Sequence, residues 1–386
     1  MSYNGYTVID ADCHIREYWD LDRTYKNYID PAYRETYARF SEALRACQRW
    51  PGDMGLPRLL WPGPPPHPMG IYDAFLAPRG GDGTSAPNRA IGSSGIAIDP
   101  SCNWDPAVRL RDMDTAGVDI SVIFASLTDG YCMLNDVSFE GALQRAYHRF
   151  ITDYCAESGG RLRWVGSSTL RDIPETIAQL HHWSARDRNF AGMFISRACP
   201  DGTMLDNPSL HPLFAASQEL DMPIWVHGGS NRPPLTPWVE APNAVYHGWG
   251  GMYALSALIG GGVFDTFPRL RIGLFESGGG WMPWLVEKLN DGYRPGSVAT
   301  PYLKRPPSEI VASGQVFCSI EADEVQLEHA VRVLGDHIWL FSTDYPHTGT
   351  CWPEGARLIG ERSGLSESAK SKMLGENAKR FLPLLA

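Results

Sequence analysis

Six residues of this 386-residue chain carry side chains that could together hold a metal ion. Asp12, His14 and Glu17 lie in IDADCHIRE near the N-terminus, His227 in WVHGGS, Glu276 in FESGGGW and Asp344 in FSTDYPH. Four are carboxylates and two are imidazoles. Such an oxygen-rich donor set suits iron or manganese better than a His/Cys set selected for zinc. Asp10, Asp12 and His14 alternate, so at a strand end they share one face, and Glu17 can return toward His14 from the following loop. Gly228 and Gly229 let the backbone turn sharply behind His227 and leave room for a ligand. Glu276 ends an apolar run, where a carboxylate must be paired, protonated or metal-bound, because burying a bare charge is costly. Pro346 and His347 follow Asp344 and indicate a fixed turn with a histidine behind the metal ligands.

The elements that must position these groups are short apolar runs read as strands. They are Tyr6–Ile9, Asp119–Phe124, Arg163–Gly166, Ala191–Ile195, Pro223–Val226, Arg271–Phe275, Gln315–Ser319 and Ile338–Phe341. Helix-like periodicity falls between them at Phe139–Glu157, Leu210–Leu220, Trp281–Leu289 and Glu324–Leu334. Alternation of this kind implies βα units and a parallel sheet. Eight units point to an α/β fold of the distorted (β/α)8 TIM-barrel type, built as one domain over residues 1–386. In such a barrel the active site sits at the C-terminal ends of the strands. An open doubly wound sheet is the alternative, but no GxGxxG follows an early strand. A Pro/Gly-rich insertion at about 30–104 breaks the rhythm after the first strand. Its apolar residues, Trp61 and Tyr72 among them, favour a lid over the active site. A second Trp- and Pro-rich stretch, Arg232–Gly251, is expected as a loop crowding the same face.

Bulk properties exclude several classes. A net charge of −10 argues against nucleic acid as partner. No apolar run is long enough for a membrane span, and the N-terminal segment has no signal-peptide pattern. Eight dispersed cysteines without a CxxC pair read as reduced thiols of a cytoplasmic protein. Cys13, between two candidate ligands, reads as a buried, inert thiol.

As a set, IDADCHIRE, Arg109–Phe124, WVHGGS, FESGGGWMPWLVEKL and FSTDYPH resemble the amidohydrolase superfamily, in its family-2 branch of aminocarboxymuconate semialdehyde decarboxylase-like enzymes. The resemblance implies a metal-bearing barrel. His14 matches the second member of the family's HxH pair, and Asp12 stands where its first His is usual. His227 matches the histidine after strand five. Asp344 matches the aspartate that binds metal and moves protons. Glu276 stands near a usual His, and no lysine ends the fourth strand, where Arg197 is found instead. The inventory of four carboxylates and two imidazoles equals that of the helical-bundle di-iron proteins.

The first expectation is therefore a non-haem di-iron monooxygenase that hydroxylates a bulky apolar small molecule, with two Fe ions. The alternative is a Zn or Mn hydrolase of an ester, thioester, lactone or amide, using metal-activated water with Asp344 as base. The third is a non-oxidative decarboxylase of an aromatic or unsaturated acid, with an arginine such as Arg197 on the carboxylate. Asp344, Glu276 and His247 are the expected catalytic groups. Arg197, Trp249 and Trp281 are the expected substrate contacts, and His347 is expected to support the ligands. A homodimer is the oligomer that the resemblance allows.

Overall fold

A computed structural model describes residues 3–17, 20–46, 96–126, 134, 136–199, 204–227, 242–294, 302–347 and 350–385. Eight strands pair in sequence order, each parallel to the next: β1 (Ile9–Ile15), β2 (Ile120–Ala125), β3 (Leu162–Ser167), β4 (Phe190–Ile195), β5 (Ile224–Val226), β6 (Ile272–Leu274), β7 (Val316–Ile320) and β8 (Trp339–Phe341). Every strand except β2 and β3 is buried along its whole length. That burial is the reason the strands read as continuous apolar runs rather than alternating ones. Helices such as Val137–Cys155, Ile173–Ser184 and Met282–Tyr293 connect them. This is the expected (β/α)8 order.

The segment after β8 nearly closes the barrel against β1. The Asp344 amide donates to the Asp12 carbonyl at 2.8 Å, and the His14 amide to the Tyr345 carbonyl at 2.6 Å. Just below, the Asp10 carboxylate takes the place of a ladder bond. It accepts from the Thr343 amide at 3.0 Å and the Thr343 hydroxyl at 2.6 Å. Burial pushes Asp10 up to about 7, against the lowering effect of those hydrogen bonds.

Aromatic side chains pack across the barrel beneath these strand ends. Phe124 of β2 meets Phe194, Trp225 and Phe275 at centroid distances of 6.1, 5.7 and 5.5 Å. Gly273 is required by this packing, because a Cβ there would stand 2.5 Å from the Phe275 ring and 2.8 Å from the Phe381 ring.

Three expectations are adjusted. The first strand does not end at Ile9 but runs through Ile15, so Asp12 and His14 belong to it. Its pairing with β2 slips between Asp10 and Cys13, where one extra residue sits on β1. That bulge breaks the simple alternation: Asp10 turns to the closing seam, while Asp12 and His14 come together. Second, residues 242–251, read as loop, open the helix Pro242–Gly260. Third, of the expected lid, Pro31–Tyr33 and Arg34–Ala46 are helical, and residues 47–95 lie outside the described residues. Among the described residues no helix is long and apolar enough to cross a membrane.

If Asp10 closes the barrel, Asp10→Ala strands the Thr343 amide and hydroxyl in a dry seam. At about 1–3 kcal/mol per stranded group, the loss is on the order of 3 kcal/mol. Chemical denaturation measures it. Asp10→Asn, which keeps an acceptor, is expected to lose less, and a wild-type midpoint for Asp10→Ala contradicts the seam.

Candidate metal centre

Strand ends β1, β5 and β8 bring four potential ligand atoms to one place. His14 Nε2 stands 3.2 Å from His227 Nε2, 3.3 Å from Asp12 Oδ1 and 3.4 Å from Asp344 Oδ1. His227 Nε2 is 3.4 Å from Asp12 Oδ1. Ligands about 2.1 Å from one ion in tetrahedral array stand about 3.4 Å apart, so the mutual spacing of Asp12, His14 and His227 fits a single first-row divalent ion, with Asp344 beside His14. Chemistry agrees with geometry. Asp12 is 1 % exposed, and its Oδ1 accepts no hydrogen bond. A buried carboxylate oxygen left so, beside two imidazole nitrogens facing each other, is a donor set that lacks only a cation. Among the described residues a second ion-capable triad, His14, Asp344 and His347, shares His14 with the first triad of Asp12, His14 and His227.

The charges in this cluster depend on one another. Burial alone would raise Asp12, but His227 and His14 outweigh it and bring it down to about 2. Burial lowers His227, yet the facing Asp12 carboxylate lifts it to about 9. Asp344 goes the other way: burial and the negative Glu276 push it up to about 8, only partly opposed by His14. Burial and His14 push His347 well below the usual histidine range.

Two carboxylates at the site sit on unusual backbone. Glu276 has φ +50° and Asp344 φ +54°, the left-handed region that L residues rarely occupy. Such strain persists where the surroundings over-determine it. Around Glu276, Arg197 Nη2 donates to the carbonyls of Phe275 and Glu276 at 2.7 and 2.8 Å. The Glu324 carboxylate accepts from the amides of Gly279 and Gly280 in the following turn. For Asp344, the bond from its amide to Asp12 and a 2.7 Å contact from Oδ1 to His347 Nδ1 do the same.

The other expected residues are distributed as follows. The Glu276 carboxylate lies 3.8 Å from His227 Nε2 but 3.1 Å from His247 Nδ1. Burial would raise Glu276, yet His247, His227 and Arg197 hold it well below the carboxylate range. Arg197 is buried, with Nη1 3.3 Å from His247 Nδ1. Glu17 is engaged by the Ser126 amide at 2.9 Å and the Tyr25 hydroxyl at 3.4 Å. The Trp281 indole donates to the Ser277 carbonyl at 2.8 Å. Trp249, 36 % exposed, packs on Tyr253. Cys13 is a buried thiol, its Sγ donating to the Val122 carbonyl at 3.3 Å.

Two supporting residues escape a reading of the sequence. Arg109 is fully buried and donates through Nη2 to the His14 carbonyl at 2.5 Å, while its guanidinium lies 5.0 Å from the Tyr345 ring centroid. It thus braces β1 and the segment after β8 at once. Ser126, at the end of β2, places its hydroxyl 3.3 Å from His14 Nδ1 and 3.0 Å from His347 Nε2. An arginine inside the Arg109–Phe124 motif was a readable signal; a serine after DISVIFA was not.

The chain is similar to proteins of known activity. It is 28% identical over 299 residues to 2-amino-3-carboxymuconate-6-semialdehyde decarboxylase of Dictyostelium discoideum, covering 74% of this chain and 79% of that protein. It is 22% identical over 304 residues to gamma-resorcylate decarboxylase of Rhizobium radiobacter, covering 72% and 86%. Its fold matches the crystal structure of 5-carboxyvanillate decarboxylase from Novosphingobium aromaticivorans with bound manganese and 3-methoxy-4-hydroxy-5-nitrobenzoic acid. The TM-score is 0.68 at 18% identity, over 98% of this chain and 97% of that one. These relatives correct the leading expectation: they are decarboxylases, neither di-iron monooxygenases nor hydrolases. The physical reason is that counting carboxylates overstated the ligand set. Glu17 is occupied with Ser126 and Tyr25, and Glu276 is closer to His247 than to the ligand nitrogens. A ligand inventory also names a metal class without naming the reaction performed beside it. The amidohydrolase family model matches residues 12–384, and the chain belongs to that family.

Proposed function

We propose that this enzyme is a non-oxidative decarboxylase of an aromatic or conjugated unsaturated acid, working with one divalent ion. The observation that carries this reading is the decarboxylase activity of its relatives, led by the 28% identical protein. Manganese in the structural neighbour supports manganese here, with zinc and iron as the other candidates. The single-ion spacing of Asp12, His14 and His227 supports a mononuclear site over the dinuclear one read from composition.

Decarboxylation breaks a C–C bond heterolytically. Carbon dioxide leaves neutral, the electron pair stays on carbon, and a proton must replace the lost group. The balance is RCO2− + H+ → RH + CO2, with no oxidant. A ring or conjugated chain is needed to spread the negative charge. When bound, a divalent ion supplies the positive charge that anchors the substrate's oxygens. Asp344, 3.4 Å from His14 Nε2, stands beside that anchor. It is the acid placed to protonate the carbon, and solvent then restores its proton. His247 Nδ1 and Glu276 Oε2 stand 3.1 Å apart on the β6 side of the same mouth. Arg197 holds the Glu276 backbone through two carbonyls. Trp281 and Trp249 are assigned to flank a flat, apolar substrate.

Incubation with ortho-hydroxybenzoates and conjugated dienoic acids under argon is expected to release CO2 at the rate seen in air. Asp344→Asn is expected to lower kcat by about 10²-fold or more while substrate binding is retained. An absolute need for O2, or ester cleavage with no CO2 from any acid, contradicts the proposal.

Metal binding has a defined pH dependence. In the metal-free protein His227 titrates at about 9, so it carries a proton at pH 7. The ion needs the neutral Nε2 lone pair and must displace that proton. Affinity therefore rises with pH up to about 9 and falls as pH drops below it. Calorimetric titration with Mn2+ in two buffers of different ionisation enthalpy is expected to show release of at least one proton per ion at pH 7. Heats independent of buffer contradict this.

A further inference from the structure

We propose that Ser126 is a positioning residue of the metal centre, whose hydroxyl fixes the tautomers of His14 and His347. This rests on the metal reading above but not on decarboxylation.

The geometry is a closed circuit. His14 Nδ1 lies 3.3 Å from Ser126 Oγ, Ser126 Oγ 3.0 Å from His347 Nε2, and His347 Nδ1 2.7 Å from Asp344 Oδ1. Asp344 Oδ1 returns to His14 Nε2 at 3.4 Å. The two imidazoles stack at 4.2 Å with 23° between their planes, so the rings cannot turn independently.

Only one set of proton positions suits a bound ion. His14 Nε2 faces Asp12, His227 and Asp344 and must present a lone pair to the ion. Its proton therefore sits on Nδ1 and is donated to Ser126 Oγ. A hydroxyl accepts one bond and donates another, so Ser126 O–H donates to His347 Nε2. His347 then carries its proton on Nδ1, 2.7 Å from Asp344 Oδ1. Each step determines the next. Reversing the chain would put hydrogen on His14 Nε2 and close the site to metal. Partners of this kind behind metal-bound histidines fix ring orientation and ligand basicity.

Ser126 is itself held in place. Its amide donates to Glu17 Oε2 at 2.9 Å, and the other Glu17 oxygen accepts from the Tyr25 hydroxyl at 3.4 Å. Glu17 is buried, so this bond is shielded from water. The carboxylate read from the sequence as a ligand thus acts one step behind the ligands, by seating the residue that orients them.

The test compares Ser126→Ala with Ser126→Thr, which keeps the hydroxyl. Two properties are read besides activity: affinity for Zn2+ alone by competition with a chelator, and the imidazole N–H resonances of the zinc-loaded, histidine-15N-labelled protein. Ser126→Ala is expected to weaken Zn2+ binding about 10-fold or more and to lose the slowly exchanging His14 Nδ1–H signal. Ser126→Thr is expected to stay within a few fold of wild type and keep that signal. A merely structural serine would leave the Nδ1–H resonance of the folded, loaded Ala variant in place, which overturns the proposal. If the Ala variant does not fold, Ser126→Thr decides alone: retained affinity and resonance support the assignment, and loss of both overturns it. A wild-type protein that binds no Zn2+ overturns the metal reading instead, and is told apart by that control.

Discussion

The structure depends on the hydrogen bond from the Asp344 amide to the Asp12 carbonyl. It joins the segment after the last strand to the first strand, and both residues it joins carry side chains of the candidate metal centre. Barrel closure and ligand placement are therefore one event. Asp10 and Thr343 reinforce the seam one layer down, and the His14 amide adds a bond to the Tyr345 carbonyl. Arg109 braces both sides from behind, donating to the carbonyls of His14 and Cys102 and the Tyr154 hydroxyl. Burying a guanidinium is costly unless each of its donors is used. Its placement against both seam segments is consistent with a requirement for rigidity there.

Electrostatics follow from that closure. Seam formation gathers Asp12, Asp344 and two histidines into a space the size of one ion, where like charges cannot all remain charged. Without a cation the groups separate into opposite states: Asp12 is driven down to about 2, Asp344 is driven up to about 8, and His227 is lifted to about 9. Two carboxylates on one strand seam thus come to differ in protonation, which is the usual way a site acquires both an anchor and an acid. The aromatic layer of Phe124, Phe194 and Trp225 below keeps the pair dry from one side. Phe124 lies 4.8 Å and Phe194 5.6 Å from the His227 ring.

Much of the fold was legible because buried parallel strands announce themselves as apolar runs. Seven of the eight runs coincide with strands, and the first, Tyr6–Ile9, meets β1 only at Ile9. The first was placed too early because β1 carries its polar groups inside the strand, and Asp10, Asp12 and His14 interrupt the apolar signal. The helix Pro242–Gly260 was mistaken for a loop because Pro, Gly and Trp crowd its first half. His227 and Asp344 stood out because each follows an apolar strand run, and Asp12 and His14 because they alternate within one short motif. Ser126 was not, since one hydroxyl after an apolar run has no distinguishing spacing. The positive φ of Glu276 and Asp344 left no trace in residue type. The reaction was misread for a related reason: carboxylates were counted as ligands before their partners were known, and Glu17 already had its own.

The account's central claim is that the barrel seam builds a site for one ion, held by Asp12, His14 and His227 with Asp344 beside His14. Metal analysis of the purified protein after dialysis against excess Mn2+ and removal of unbound ion tests it most directly, with His227→Ala measured alongside. The account predicts about one Mn2+ per chain for wild type and almost none for the variant. Two ions per chain, or an undiminished content in His227→Ala, would contradict it.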